Sequence, residues 1–262
     1  MTATSFCDLS GMRVLITGAG RGIGPGIVEA LADAGADVVV NAYTSTFVEP
    51  VAERVAERTG RRIVPVVGDA TTAEGTRALA AAAVEALGGL DVLVNCLGDA
   101  IPGPLVELPA SAGGAVSDDD VRRVMDLNVT GAIWASRAVA PLLVAGGGGV
   151  VVNISGAAAV RGGGGMAVYT AAKTAITGLT RALAIEWAPV GIRVNAVAPG
   201  IVPDPAVPDF FDPATEAALL PTIPARRFGR PREVGDLVRF LVSDEAAYLT
   251  GATIHLDGGL TA

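Results

Sequence analysis

Seven short apolar runs, each rich in β-branched residues and separated by stretches of helical composition, constrain this chain most. Met12–Thr17, Asp37–Asn41, Arg62–Val67, Asp91–Asn95, Val150–Ile154, Ile192–Val197 and Thr253–Leu256 read as strands. Their hydrophobicity is continuous rather than alternating, as strands covered on both faces require. Helices are expected over Gly24–Ala34, Phe47–Thr59, Ala73–Leu87, Ser117–Val144, Val168–Ala188 and Arg232–Ser243. Ser117 followed by Asp118–Asp120 is a capped, acid-rich helix start. Strand and helix in alternation predict an α/β fold: one doubly wound domain over residues 1–262, a seven-stranded parallel sheet with helices on both faces.

Composition narrows the partners. Half of the 262 residues are apolar and 18% are charged, a globular balance. The formal charge is −8 and no cluster of Lys and Arg exceeds a pair, which argues against nucleic acid. Mean hydropathy is positive, yet the most apolar stretch, Ala138–Val152, is short and broken by Pro141 and Gly146–Gly149, so no membrane span is expected. The start has neither a basic nor an apolar leader region. With Cys7 and Cys96 far apart, a reducing cytoplasm is the simpler reading. His255 is the only histidine and neither cysteine has a partner at ligand spacing, so no metal site is expected.

Two segments interrupt the rhythm: Asp99–Val116, rich in Pro, Ala and Gly, and a lid-like stretch over residues 201–225 that holds Phe210 and Phe211. The two phenylalanines either pack the lid internally or touch a ligand.

Thr17–Gly24 (TGAGRGIG) joins the first strand to the first helix. Glycines there allow a tight turn and a close approach of backbone to a pyrophosphate, and the helix N-terminus offers free N–H groups. The second strand ends at Asn41-Ala42-Tyr43-Thr44-Ser45, without the acid that binds both ribose hydroxyls of NAD(H). This absence favours NADP(H) over NAD(H), with Arg21, Thr44 and Ser45 available to a 2′-phosphate. Tyr169 and Lys173 stand at i and i+4 on one helix face. An ammonium beside a phenol is expected to lower its pKa and ready it for proton exchange with a carbonyl oxygen.

Taken together, TGAGRGIG, Gly68-Asp69-Ala70, Asp91–Asn95 (DVLVN), Leu127–Gly131 (LNVTG), Val150–Ser155 (VVVNIS), Tyr169–Lys173 (YTAAK), Ile192–Gly200 (IRVNAVAPG) and Tyr248–Gly259 (YLTGATIHLDGG) resemble the short-chain dehydrogenase/reductase family, especially 3-oxoacyl-carrier-protein-reductase-like members, over nearly the whole chain. The resemblance implies a Rossmann-type domain. It implies Tyr169 as acid/base, Lys173 as the group that holds the nicotinamide ribose and tunes Tyr169, Asn128 as the anchor of a water in a proton relay, and a serine at Ser155 or its neighbour. The implied cofactor contacts are Gly18, Gly20, Arg21, Gly22, Ile23, Gly24, Tyr43, Thr44, Asp69, Ala70, Asn95, Gly98, Tyr169, Lys173, Pro199, Gly200 and Val202. A homotetramer is implied as well.

The pattern has gaps. The family serine stands thirteen residues before the tyrosine, and that position is Gly156, with Ser155 one residue early. Either a shift in the Gly162–Gly165 loop brings Ser155 into place, or the enzyme works without the hydroxyl, or the chain is impaired. Asn95-Cys96-Leu97-Gly98 replaces the usual N-N-A-G, Asp204 replaces a threonine, and the Gly98–Asn128 connection is long. The expected activity is interconversion of a ketone and a secondary alcohol with NADP(H) on a small, apolar or cyclic substrate. The alternative is a non-catalytic or altered-chemistry homologue that binds NADP(H) and assembles with an active subunit.

Overall fold

The computed structural model describes residues 6–109, 111 and 113–262. The expectation about the leader at residues 1–5, and positions 110 and 112 of the 99–116 segment, lie outside the described residues. In chain order the elements are β1 (Arg13–Thr17), α1 (Gly24–Asp33), β2 (Asp37–Ala42), α2 (Ser45–Thr59), β3 (Ile63–Val67), α3 (Ala73–Leu87), β4 (Val92–Asn95), α4 (Asp118–Met125), α5 (Gly131–Ala145), β5 (Gly149–Ile154), α6 (Ala158–Arg161), α7 (Ala167–Trp187), β6 (Ile192–Pro199), α8 (Pro213–Leu219), α9 (Pro231–Val242) and β7 (Thr253–Leu256).

All seven strands are parallel, in the order β3-β2-β1-β4-β5-β6-β7. The pleat divides each continuous apolar run between two cores. Val14, Ile16, Val38, Val40, Val92 and Val94 face α1, α2 and α9. Leu15, Val39, Leu93 and Val151 face α3, α5 and α7. The chain reverses direction across the sheet after β3, leaving a crevice between the carboxyl ends of β1 and β4, the place where open α/β sheets bind ligands.

Small residues set the layer spacing. A side chain at Gly26 would run into the Pro231 backbone, and one at Gly235 would strike the Gly26 carbonyl, so α1 and α9 touch backbone to backbone. This fixes the helix that leaves the glycine-rich turn.

The structure departs from the expected elements in two places that bear on function. The single helix expected over Ser117–Val144 begins on the predicted cap, with the Ser117 hydroxyl accepting from Asp120 N–H, but is interrupted by a π-helical turn over Asp126–Thr130. Such turns occur often at functional positions. Here Asn128, on the widened turn, donates its Nδ2 to the Val124 carbonyl of α4 at 2.8 Å. The combined run Asp118–Ala145 is long and apolar enough to span a membrane, but Val124, Ala135, Val139 and Leu143 are buried in the domain. It is a core helix with a charged first turn. The lid over residues 201–225 is not structureless: Asp212 accepts N–H groups of Ala214 and Thr215, each at 2.9 Å, and starts α8 at Pro213. The Asp-Pro pair was the available signal, since proline suits the first helical position.

Candidate active site

The glycine-rich turn sits at the carboxyl end of β1. Gly18 has φ +64°, and a side chain there would collide with Leu97 on the far wall of the crevice. Asn41, which sequence reasoning did not single out, braces the turn. Its Oδ1 accepts Gly18 N–H at 3.2 Å, while its Nδ2 donates to the carbonyls of Val66 and Gly68. α1 starts at Ile23 and Gly24 with no capping side chain and no acid in its first turn. An uncapped helix N-terminus at the glycine-rich turn is a fit for a pyrophosphate. The Asp204 carboxylate enters from the lid and accepts Gly22 N–H at 3.0 Å.

Around the end of β2, Ala42 is buried, Tyr43 is exposed, and Thr44 starts α2 without using its hydroxyl as a cap. Asp69 Oδ1 accepts from Thr71 N–H at 2.8 Å and Thr71 Oγ1 at 2.6 Å, so one carboxylate oxygen is engaged locally beside buried Ala70. Arg21 does not reach toward the β2 end as expected. Its guanidinium pairs with Asp99, just past β4, at 2.8 Å. The position of Asp99 carries no motif, and the long Gly98–Asn128 connection was the only sequence hint of its presence.

Tyr169 and Lys173 open α7 and come together as the i, i+4 spacing requires, with Lys173 Nζ 5.5 Å from the Tyr169 ring centre. Lys173 is buried and donates to the Ile154 carbonyl at 3.0 Å. A Cβ at Gly98 would lie 2.5 Å from Asn128 Oδ1 and 2.9 Å from Lys173 Nζ, so both polar atoms converge on the Gly98 backbone. Asn128 Nδ2 also donates to the Asp99 carbonyl at 2.7 Å, leaving its Oδ1 buried and unpartnered. A buried orphan acceptor beside an ammonium suits a bound water or hydroxyl.

The electrostatics correct one expectation. Burial pushes the Tyr169 phenol up to about 12, with Asp99 adding to the rise, instead of Lys173 lowering it. Burial brings the Lys173 ammonium down to about 8, opposed by Cys96 and Asp99. Burial also lifts the Cys96 thiol to about 12, in keeping with a packing role.

The structure separates Ser155 from Gly156. The Ser155 hydroxyl donates to the Lys173 carbonyl at 2.8 Å and is buried; it does not meet Tyr169. The ladder continues past β5, with Ser155 N–H on the Val197 carbonyl and Ala157 N–H on the Pro199 carbonyl. Alternation along this extended backbone sends residues 155 and 156 to opposite faces. Gly156 therefore faces the site: a Cβ there would stand 3.9 Å from Tyr169 Oη, 3.8 Å from Lys173 Cγ and 3.9 Å from the Pro199 carbonyl oxygen. The Asn95 amide donates to Ser136 Oγ and Asn153 Oδ1, and Asn153 donates to Thr180, which ties β4, β5, α5 and α7 beneath the crevice. Gly200 abuts Asp257 too closely for any side chain, and half-buried Val202 packs against Gly229 and the core, both at the end of β6.

A crevice built for a dinucleotide and ending in a buried Tyr–Lys pair defines an oxidoreductase acting on CH–OH groups with a nicotinamide cofactor. The chain belongs to the short-chain dehydrogenase/reductase family. Residues 18–261 match a family model described as enoyl-(acyl carrier protein) reductase. The chain is 34% identical over 255 residues to glucose 1-dehydrogenase of Gluconobacter oxydans, covering 96% of this chain and 92% of that protein. A short-chain type dehydrogenase/reductase from Mycobacterium marinum superposes with a TM-score of 0.87 at 33% identity, over 98% of both chains. A 7α-hydroxysteroid dehydrogenase in complex with NADH and 7-oxo glycochenodeoxycholic acid superposes with a TM-score of 0.90 at 32% identity, over 99% of this chain and 98% of that one.

Proposed function

We propose that the protein interconverts a ketone and a secondary alcohol on a small, largely apolar or cyclic substrate, with NADP(H) as the preferred cofactor. The Tyr169–Lys173 pair, with the buried Lys173 Nζ and Asn128 Oδ1 both against Gly98 at the inner end of the crevice, carries this reading. The bound cofactor supplies or removes hydride at the carbonyl carbon. Tyr169, held neutral by its burial, gives its proton to the carbonyl oxygen as negative charge develops there. Lys173 would hold the ribose hydroxyls of the cofactor, and Asn128 Oδ1, buried and unpartnered, would accept from a water that resupplies the proton to the phenol. Gly18, Gly20, Gly22, Ile23 and Gly24 would hold the pyrophosphate, while Ala70, Gly98, Pro199, Gly200 and Val202 would form the walls.

The preference for NADP(H) rests on the β2 end. No acid stands at Ala42–Ser45, the Thr44 and Ser45 hydroxyls are available, and the N-terminus of α2 has no side-chain cap. The apolar substrate rests on Leu105, Val106 and Leu108, exposed on the loop whose Gly103 N–H bonds the Gly165 carbonyl beside α6, and on Phe210 in the lid. Phe210 stacks edge-on against Phe211, which packs on Phe228, so Phe211 serves the lid and Phe210 is free for a ligand. The absence of a serine hydroxyl supports the second reading, a cofactor-binding subunit without turnover. NADPH-dependent reduction across a panel of cyclic ketones separates the two: turnover that disappears in Tyr169→Phe supports the enzyme, and tight NADPH binding with no turnover overturns it.

Two further assignments belong to this reading. An apolar groove of about 610 Å³ between α5 and α7, lined by Ile133, Pro141, Val144, Leu183 and Trp187, supports a homotetramer assembled through these helices; light scattering tests it. The two free buried thiols, Cys7 and Cys96, fit a cytoplasmic location.

A further inference from the structure

The proton donor Tyr169 has no second donor beside it from residue 155 or 156. Ser155 is turned away and spends its hydroxyl on the Lys173 carbonyl. The Gly156 position is an opening next to Tyr169 Oη, and the atoms around it are a lysine methylene, the phenol oxygen and the Pro199 carbonyl oxygen. The methylene offers no hydrogen bond, and the carbonyl is an acceptor already bonded to Ala157 N–H at 2.8 Å, with a second lone pair. An oxyanion forming here would have one donor where a pair is normally needed, and loss of one such donor costs roughly 10²–10³ in rate.

We propose that the substrate itself fills this opening: the protein acts on α-hydroxy ketones and vicinal diols, whose neighbouring hydroxyl occupies the space over Gly156. This deepens the ketone/alcohol reading above and rests on it. A hydroxyl on the adjacent carbon is tethered within reach of the reacting oxygen and fits the space that a Cβ at Gly156 would take. It gives its one hydrogen to the reacting oxygen, in the position a serine hydroxyl would take. Because the hydroxyl belongs to the substrate, its placement costs no separate ordering. In reduction the carbonyl carbon gains hydride, the carbonyl oxygen gains the Tyr169 proton, the adjacent hydroxyl is unchanged, and the product is a vicinal diol. A side chain at residue 156 would compete with that hydroxyl for the same space, which makes Gly156 a specificity-determining residue.

The test compares matched ketones that differ by one hydroxyl, α-hydroxycyclohexanone against cyclohexanone and benzoin against deoxybenzoin, with NADPH and NADH. It uses the wild type, Gly156→Ser and Gly156→Ala, with cofactor binding followed by fluorescence to confirm an intact fold. The wild type is expected to favour the hydroxy ketone in kcat/KM by at least about tenfold, the low end of one oxyanion donor. Gly156→Ser should raise the plain ketone and erase most of that ratio. Gly156→Ala should lower the hydroxy ketone without helping the plain one. Equal kcat/KM for both members in the wild type, as a resident water in the opening would produce, overturns the proposal, and so does a ratio that Gly156→Ser leaves unchanged. Absence of turnover for every ketone in all three proteins, with cofactor bound, sinks the dehydrogenase reading and this proposal with it, a result distinct from turnover without discrimination.

Discussion

Arg21 on the glycine-rich turn and Asp99 beyond β4 form an ion pair of 2.8 Å across the cofactor crevice. The same carboxylate raises the pKa of Tyr169, so one side chain links cofactor binding to the proton donor. Asp99→Asn is expected to release Arg21 toward the cofactor phosphates and tighten NADPH binding about threefold, a modest effect because both partners are half exposed. The variant should also shift the alkaline limb of the alcohol-oxidation profile to lower pH. Unchanged affinity together with an unchanged profile would separate Asp99 from both roles.

Tyr169→Phe is expected to lower kcat by about 10²-fold or more, the usual contribution of a positioned acid, with little change in cofactor affinity. Lys173→Ala should damage both, since one ammonium sits beside the phenol and the cofactor wall. Steady-state rates and a fluorescence titration on each variant provide the check. More than about a tenth of the wild-type rate in Tyr169→Phe removes the assignment of the proton donor.

Ser155→Ala should leave kcat within a few fold of wild type. The hydroxyl it removes is bonded to the Lys173 carbonyl. Its loss should cost about 1 kcal/mol of stability, roughly 2–4 °C in Tm for a domain of this size. A hundredfold loss of rate with an unchanged Tm would mean that Ser155 turns into the site during catalysis.

Ala42→Asp should move preference toward NADH. A carboxylate at the end of β2 can accept from both ribose hydroxyls and repels a 2′-phosphate. The ratio of NADPH to NADH dissociation constants is expected to rise at least about tenfold, about 1.4 kcal/mol. A ratio that stays constant would place the cofactor's adenosine end elsewhere.

The pH dependence follows from two shifts of opposite sign. Lys173 is charged below about 8 and neutral above it, so cofactor affinity should be level at lower pH and weaken as pH rises through about 8. Lys173→Met should abolish this dependence. Tyr169, raised to about 12, stays protonated across the working range. Reduction, which needs the protonated phenol, should not be lost to phenol ionisation near neutral pH. Oxidation, which needs the phenolate, should gain about tenfold per pH unit below that value while the chemical step limits the rate.

The sheet and its helices were legible in the sequence because each depends on local pattern. Continuous β-branched runs need cover on two faces, and helical stretches between them leave one way to provide it. The Tyr169–Lys173 pair was equally legible, since four residues of α-helix place both side chains on one face. The Ser155/Gly156 ambiguity was different. Spacing alone left both residues open, and the direction of each was decided by the backbone bonds of Ser155 and Ala157 to β6, contacts made across the sheet. Arg21 pairing with Asp99, and Asp204 reaching Gly22, join residues 78 and 182 positions apart. Side-chain partners at such separations depend on which loops the sheet order brings together. The pKa of Tyr169 was misjudged for the same reason. A neighbouring lysine is visible in sequence, whereas burial, the larger effect here, exists only once the chain has packed.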